Sequence, residues 1–226
     1  ALVGRKVSIV SDHPQTTRRR ITGVVNREGV QVVLLDLPGF QRPFDSLTRR
    51  MQTAVDDALG EVDAALVVLN VTESFGGGDR YILEAVAAAD VPAVFVLNKA
   101  DLVDEARLAE RLAEARAIVG EREMLVVSAL RGRGLEDVLG RLSDAMPAGP
   151  RYFPEDQSRD QPTELLVAEL IREQVLVRTR EEVPHAVAVE VVDLEEREDR
   201  PLIEIQAQII VESESQKAIC VGKGGQ

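Results

Sequence analysis

Ala93-Val94-Phe95-Val96-Leu97 is a short apolar, partly β-branched run that stops abruptly at Asn98-Lys99-Ala100-Asp101. With no polar residue alternating through it, the run fits a strand covered on both faces, as in a parallel sheet. Such sheets present polar groups at the carboxyl ends of their strands, where ligands bind. An aspartate two residues beyond a lysine and three beyond an asparagine offers a carboxylate to two adjacent N–H donors. Guanine carries that pair of donors on N1 and N2, and adenine does not. The same four residues also describe a polar turn leading into a helix cap, so the company they keep decides their meaning.

That company is specific. Residues 30–35 form another apolar run, ending at Asp36-Leu37-Pro38-Gly39. An aspartate at a strand end can hold Mg²⁺ through water, and Gly39 lets its N–H approach a terminal phosphate with no side chain in the way. Residues 21–25 precede that run, and Asn26-Arg27-Glu28-Gly29 between the two is a hairpin signal. Residues 64–71 make a further strand. Residues 124–127 make the next, ending at Ser128-Ala129-Leu130, whose backbone N–H groups are placed to meet guanine O6. Helical stretches lie between: a loop and helix over 40–59, then 79–89 with Asp79 as N-cap, 104–119 stopped by Gly120, and 134–146. This alternation predicts an α/β fold with a mostly parallel, doubly wound sheet and a ligand at its carboxyl edge. D-x-x-G alone describes many turns, but three motifs at three strand ends, in the order one GTP molecule requires, are not explained by chance. In this reading Asn98 and Asp101 select guanine, Lys99 packs against the base and phosphate loop, and residues 128–130 complete the pocket.

The first residues fit less well. Ala1-Leu2-Val3-Gly4-Arg5 reads as the end of a buried strand and a glycine turn, which should lead through a glycine-rich loop into a helix whose N-terminus holds phosphate. Lys6-Val7-Ser8-Ile9-Val10-Ser11 follows directly instead. A segment is therefore expected to be left out between residues 5 and 6 or nearby, truncation being the alternative. His13-Pro14-Gln15-Thr16-Thr17-Arg18-Arg19-Arg20 is basic and proline-punctuated, an exposed loop in which the Thr17 hydroxyl would complete Mg²⁺ coordination and order the loop around triphosphate.

The 226 residues allow one large or two modest domains, and 45% hydrophobic content suffices for a core. A net charge of −12 argues against coating nucleic acid by charge alone. Aromatics at 3% leave few platforms for stacking bases. One cysteine, Cys220, cannot form an internal disulfide, which suits a reducing cytoplasm, and it reads as a small core residue. No run reaches a membrane span, and no signal-peptide pattern opens the chain. His13 and His185, with no cysteine cluster, make a zinc site improbable.

Four of the ten prolines fall within residues 147–162, which read as a linker. A helix is expected over residues 162–179, with Leu166, Leu170, Ile171, Val175 and Val177 toward one side and Arg172, Glu173 and Arg178 elsewhere. Strands over 186–192 and 202–211 flank a charged turn, and a helix over 213–219 leads to Val221-Gly222-Lys223-Gly224-Gly225-Gln226. A G-x-x-G loop after helix–strand–strand–helix is how a KH domain grips single-stranded RNA: Gly222, Gly224 and Gly225 admit the phosphate backbone and Lys223 supplies charge. Against this, residues 151–226 hold 9 basic and 17 acidic residues, a net of −8.

Pro14–Ile21 (P-Q-T-T-R-R-R-I), D-L-P-G at 36–39, N-K-A-D at 98–101 and S-A-L at 128–130 resemble the switch and base-recognition motifs of the bacterial ribosome-assembly GTPases of the Era family. The resemblance continues through L-V-A-E-L-I-R-E, T-R-E-E-V-P-H and V-G-K-G-G-Q, nearly the whole chain. It makes Gly4 the first glycine of the phosphate loop, whose lysine and serine or threonine have no counterpart here. Leu37 replaces the family's usual threonine, and Phe40 stands where Ras-like enzymes carry a water-orienting glutamine, so the catalytic group is not identified. It implies a GTPase domain over 1–147, a linker over 148–161 and a partial type II KH domain over 162–226. The implied cofactors are GTP, GDP and Mg²⁺, and the reaction is GTP hydrolysis to GDP and phosphate. The implied partner is the 3′ end of 16S ribosomal RNA in 30S subunit assembly, with no DNA, a monomeric state, a cytoplasmic location and a weak peripheral membrane association. The alternatives are a GTPase switch with another RNA or membrane target, or a GTP-binding scaffold that does not hydrolyse.

Overall fold

The computed structural model describes residues 1–10, 17, 20–37, 46–179 and 183–222. They fall into two compact units: Ala1–Lys6 with Arg18–Arg159, and Val7–Thr17 with Asp160–Gln226.

At the centre of the first unit lies a parallel sheet of β3 (Ala65–Asn70), β4 (Ala93–Asn98) and β5 (Met124–Val126), in that order. Its register sets Asn70 level with Asn98, and two bonds continue the ladder past the strands: Val71 N–H donates to Asn98 O at 3.0 Å and Val127 N–H to Leu97 O at 2.9 Å. Along β4, Phe95 and Leu97 enter one core with Leu83 and Val86 of α2 (Gly77–Ala88) and Ala115 and Val119 of α3 (Glu105–Val119). Val94 and Val96 enter the other, with Val138, Leu139 and Leu142 of α4 (Leu135–Ala145). Helices thus cover both faces, which is why β4 carries no polar alternation; burying each Val or Leu contributes about 1.5–3 kcal/mol. The antiparallel hairpin of β1 (Ile21–Arg27) and β2 (Val30–Asp36) joins the second core through Val25 and Val32. A helix α1 (Ser46–Leu59) links the hairpin to β3.

Several expectations need correction. Residues 1–5 are a turn rather than a strand: Gly4 N–H donates to Ala1 O at 2.9 Å, and Gly4 sits at φ +74°, the left-handed region that glycine enters without steric cost. The hairpin turn is the pair Glu28-Gly29, Gly29 at φ +76°, so Asn26 lies inside β1 opposite Gln31. The helix expected from Asp79 begins at Gly77, with Asp79 at its third position and its carboxylate accepting the Gly76 N–H at 2.7 Å.

In the second unit, α5 (Thr163–Arg178) is followed by the one-turn α6 (Val183–Ala186), the antiparallel pair β6 (Ala188–Glu196) and β7 (Ile203–Ile210), and α7 (Glu214–Val221). Ile9, Leu176 and Val187 form its small core. Arg172 and Glu173, expected away from the apolar side of α5, are buried, whereas Val177 is 67% exposed. Their burial is tolerable because they are paired: Arg172 forks onto both oxygens of Glu169 at 2.9 and 2.7 Å, and Glu173 accepts the Val10 N–H at 2.8 Å. Cys220 is only half-buried, so it is no core residue.

Candidate guanine-reading corner

Asn98 ends β4, and the chain then turns through Lys99 in the left-handed region at φ +66° into a 3₁₀ turn, Ala100–Leu102. A lysine there is strained, and the turn is fixed from both sides: Ala100 N–H donates to Val127 O at 3.1 Å, and Leu102 N–H to Lys99 O at 3.0 Å. Asp104 then caps α3, accepting the Arg107 N–H at 2.8 Å. Asp101 is thus held between a buried strand and a capped helix.

The loop after β5 closes on it. Ser128, 2% exposed, donates its hydroxyl to Asp101 Oδ1 at 2.5 Å and accepts the Arg131 N–H at 3.1 Å. Ala129 N–H donates to Asn98 Oδ1 at 3.0 Å. A two-way bridge, Ser128 N–H to Arg133 O and Arg133 N–H to Ser128 O, both 3.1 Å, makes residues 128–133 a tight loop. Gly134 permits it: at φ +74°, a Cβ there would lie 2.8 Å from Val126 O and 2.9 Å from Val127 Cγ1. The Ser128 hydroxyl, with help from Arg131 and Arg133, holds the Asp101 carboxyl below the usual carboxylate range, so it is ionised at neutral pH and accepts, as guanine N1–H and N2–H require.

The structure therefore brings Asn98, Lys99, Asp101, Ser128, Ala129 and Leu130 together at one strand edge. Of the three amides expected to meet guanine O6, those of Ser128 and Ala129 are engaged within the protein, and Leu130, 80% exposed, has no acceptor among the described residues. Lys99 is exposed and free to lie along a base. Asp36 ends β2 with its side chain exposed, a hard oxygen at a strand terminus of the kind that binds Mg²⁺ alongside phosphate oxygens. Thr17 belongs to the second unit and Asp36 to the first, so neither unit by itself joins them. Gly222 ends α7 at φ +71°, its N–H donating to Ala218 O at 3.0 Å. Gly39, Phe40, His13, Lys223, Gly224 and Gly225 lie outside the described residues.

Sequence reasoning missed Arg111. Its side chain is 1% exposed in the middle of α3, where Nε donates to Val71 O at 3.0 Å, the guanidinium lies 4.2 Å over the Phe75 ring, and Glu114 pairs with it at the surface. It ties α3 to the same Val71 that bonds Asn98. Nothing in the letters separates it from the other arginines of that helix.

A model of the 50S ribosome-binding GTPase family matches residues 1–99, and a KH-domain model matches residues 182–226. GTPase Era of Staphylococcus haemolyticus strain JCSC1435 is 39% identical over 224 residues, which is 99% of this chain and 75% of that protein. A variant of Aquifex aeolicus Era bound to GDP and aluminium fluoride has a similar structure, with a TM-score of 0.91 at 33% identity over 100% of this chain and 78% of that one. Era in complex with MgGDPNP and nucleotides 1506–1542 of 16S ribosomal RNA gives 0.89 at 33% identity, covering 99% and 76%.

Proposed function

Because this chain belongs to the Era family of GTP-hydrolysing enzymes, we propose that it couples its guanine-nucleotide state to binding of the 3′ end of 16S ribosomal RNA, assisting assembly of the 30S subunit. The observation that carries this reading is the likeness, over 99% of the chain, to Era in complex with that RNA and MgGDPNP. The KH-domain match at residues 182–226 supports it independently.

The corner formed by Asn98, Asp101 and Ser128 takes the base. GTP and GDP are the ligands it fits, since an ionised carboxylate held by a buried hydroxyl accepts from guanine and repels the acceptor N1 of adenine. Asp36 fits Mg²⁺, which when bound would neutralise phosphate charge, and Thr17 joins it in this reading. Gly4 and Gly39 are assigned to the phosphates, and Gly222, Lys223, Gly224 and Gly225 to the RNA backbone. A monomer in the cytoplasm completes the reading; a single cysteine supports that compartment. A weak peripheral association with the membrane rests on the family resemblance alone.

The test is RNA binding by the full chain loaded with a non-hydrolysable GTP analogue. An oligonucleotide ending in the 16S 3′ sequence should bind, and a scrambled one of equal length should bind at least tenfold more weakly. Equal affinity for both would overturn the RNA assignment and leave the GTPase assignment untouched.

A further inference from the structure

The proline-rich stretch before the second unit is no free tether. Gln31 of β2 grips it with both ends of its carboxamide: Nε2 donates to Phe153 O at 2.8 Å and Oε1 accepts the Tyr152 N–H at 2.8 Å and the Phe153 N–H at 3.0 Å, while Nε2 also donates to Asn26 Oδ1 at 2.6 Å. Asn26, its cross-strand neighbour, donates Nδ2 to the carbonyls of Pro154, Glu155 and Gln157 at 3.3, 2.9 and 3.1 Å. Further along, Val24 N–H donates to Ser158 O at 2.9 Å, and Gly23 bridges to Arg159. Residues 152–159 are therefore laid along the hairpin, with backbone groups that water would otherwise satisfy held by two side chains.

The hairpin they lie on has a particular place in the chain. β1 starts directly after residues 16–20 of the sequence, and β2 ends at Asp36, the first residue of D-L-P-G. Both segments are nucleotide-sensing elements in the reading proposed above, on which this inference rests. The strap itself continues at Asp160 into the second unit. We propose that Asn26 and Gln31 are positioning residues that lock residues 152–159 to the hairpin, so that a nucleotide-driven shift of β1 and β2 is delivered to the chain entering the RNA-binding unit. A strap held by backbone groups alone could slide by two residues along a ladder; two carboxamides bonded to six named backbone atoms fix one register.

The test uses the full chain, its Asn26→Ala/Gln31→Ala double variant, and the 16S 3′-end oligonucleotide. The readout is the ratio of RNA Kd values with GDP and with a non-hydrolysable GTP analogue. The wild-type ratio should differ from one by several-fold, and in the double variant it should fall to within about twofold of one while GTP affinity stays unchanged. A ratio retained in the variant overturns the role of the lock. A wild-type ratio of one overturns the coupling reading itself, and this inference with it, whereas absent RNA binding in both states identifies the RNA assignment as the fault. Hydrogen exchange on the wild type gives a second measurement: the Tyr152 and Phe153 amides should be protected in both nucleotide states. Loss of protection in either state overturns the claim that strap and hairpin move as one.

Discussion

β4 and β7 are both rich in apolar, β-branched residues, yet they end in different environments. Phe95, Val96 and Leu97 are at most 3% exposed, whereas Ile203, Ile205, Ile209 and Ile210 are 45–50% exposed. The first strand sits between two layers of helix with a neighbour on each edge; the second, among the described residues, pairs only with β6. Asp101 follows the doubly covered strand and is held by the Ser128 hydroxyl, the kind of support a carboxylate needs if it is to tell one purine from another. Among the described residues the second unit shows no strand covered on both faces in this way.

The sharpest way to break this contrast is to change what the corner reads. Asp101→Asn replaces one acceptor oxygen with a donor, and GTP affinity should fall by ~10³-fold or more, the scale on which a site with an unpaired polar group rejects its former ligand. Xanthosine triphosphate, whose O2 accepts, should recover part of it in a competition assay with a fluorescent nucleotide. Loss of GTP and xanthosine triphosphate alike would mean that Asp101 is structural.

Packing gives the next largest effect. Leu97→Ala, at a fully buried site, should cost about 3 kcal/mol in urea unfolding, while Ile205→Ala on β7 should cost less than about 1 kcal/mol. Equal costs would erase the difference between the two strands.

Removing the Ser128 hydroxyl separates positioning from packing. Ser128→Ala leaves the Asp101 carboxylate without its nearest donor, and GTP affinity should fall about tenfold, the order of one lost hydrogen bond to a charged group. The pH dependence follows with a definite sign. Asp101 is depressed below its ordinary value, so its contribution is present at and above the usual carboxylate range and is lost only as pH falls through the lowered value. In Ser128→Ala that loss should move to higher pH, measured by nucleotide affinity from pH 3 to 7. An unshifted midpoint would contradict the hydroxyl's role. The smallest effect belongs to the exposed Arg27–Glu136 pair, 2.6 Å apart but with side chains 41% and 76% exposed. Glu136→Gln should leave the unfolding midpoint unchanged at physiological salt, because water and ions already screen it.

The sheet and the corner were legible because each strand there is a continuous apolar run closed by a polar motif, a pattern with few other solutions. Local signals also placed the Gly120 stop correctly. What stayed hidden depends on partners distant in sequence. Arg172 and Glu173 look solvated until Glu169 and the Val10 amide are brought to them. Asn26 looks like a turn residue until Gln31 and residues 152–157 surround it. Gly4 looks like the end of a strand because three apolar residues can enter a tight turn as readily as a strand, and periodicity over so few positions does not separate the two.

Guanine selection by one preformed corner can be tested directly by titration calorimetry of the full chain in magnesium buffer. The account predicts that GTP binds one to one and that ATP, even in a hundredfold excess, gives no heat and displaces no GTP. ATP binding with comparable affinity, or displacing GTP at equal concentration, would contradict it.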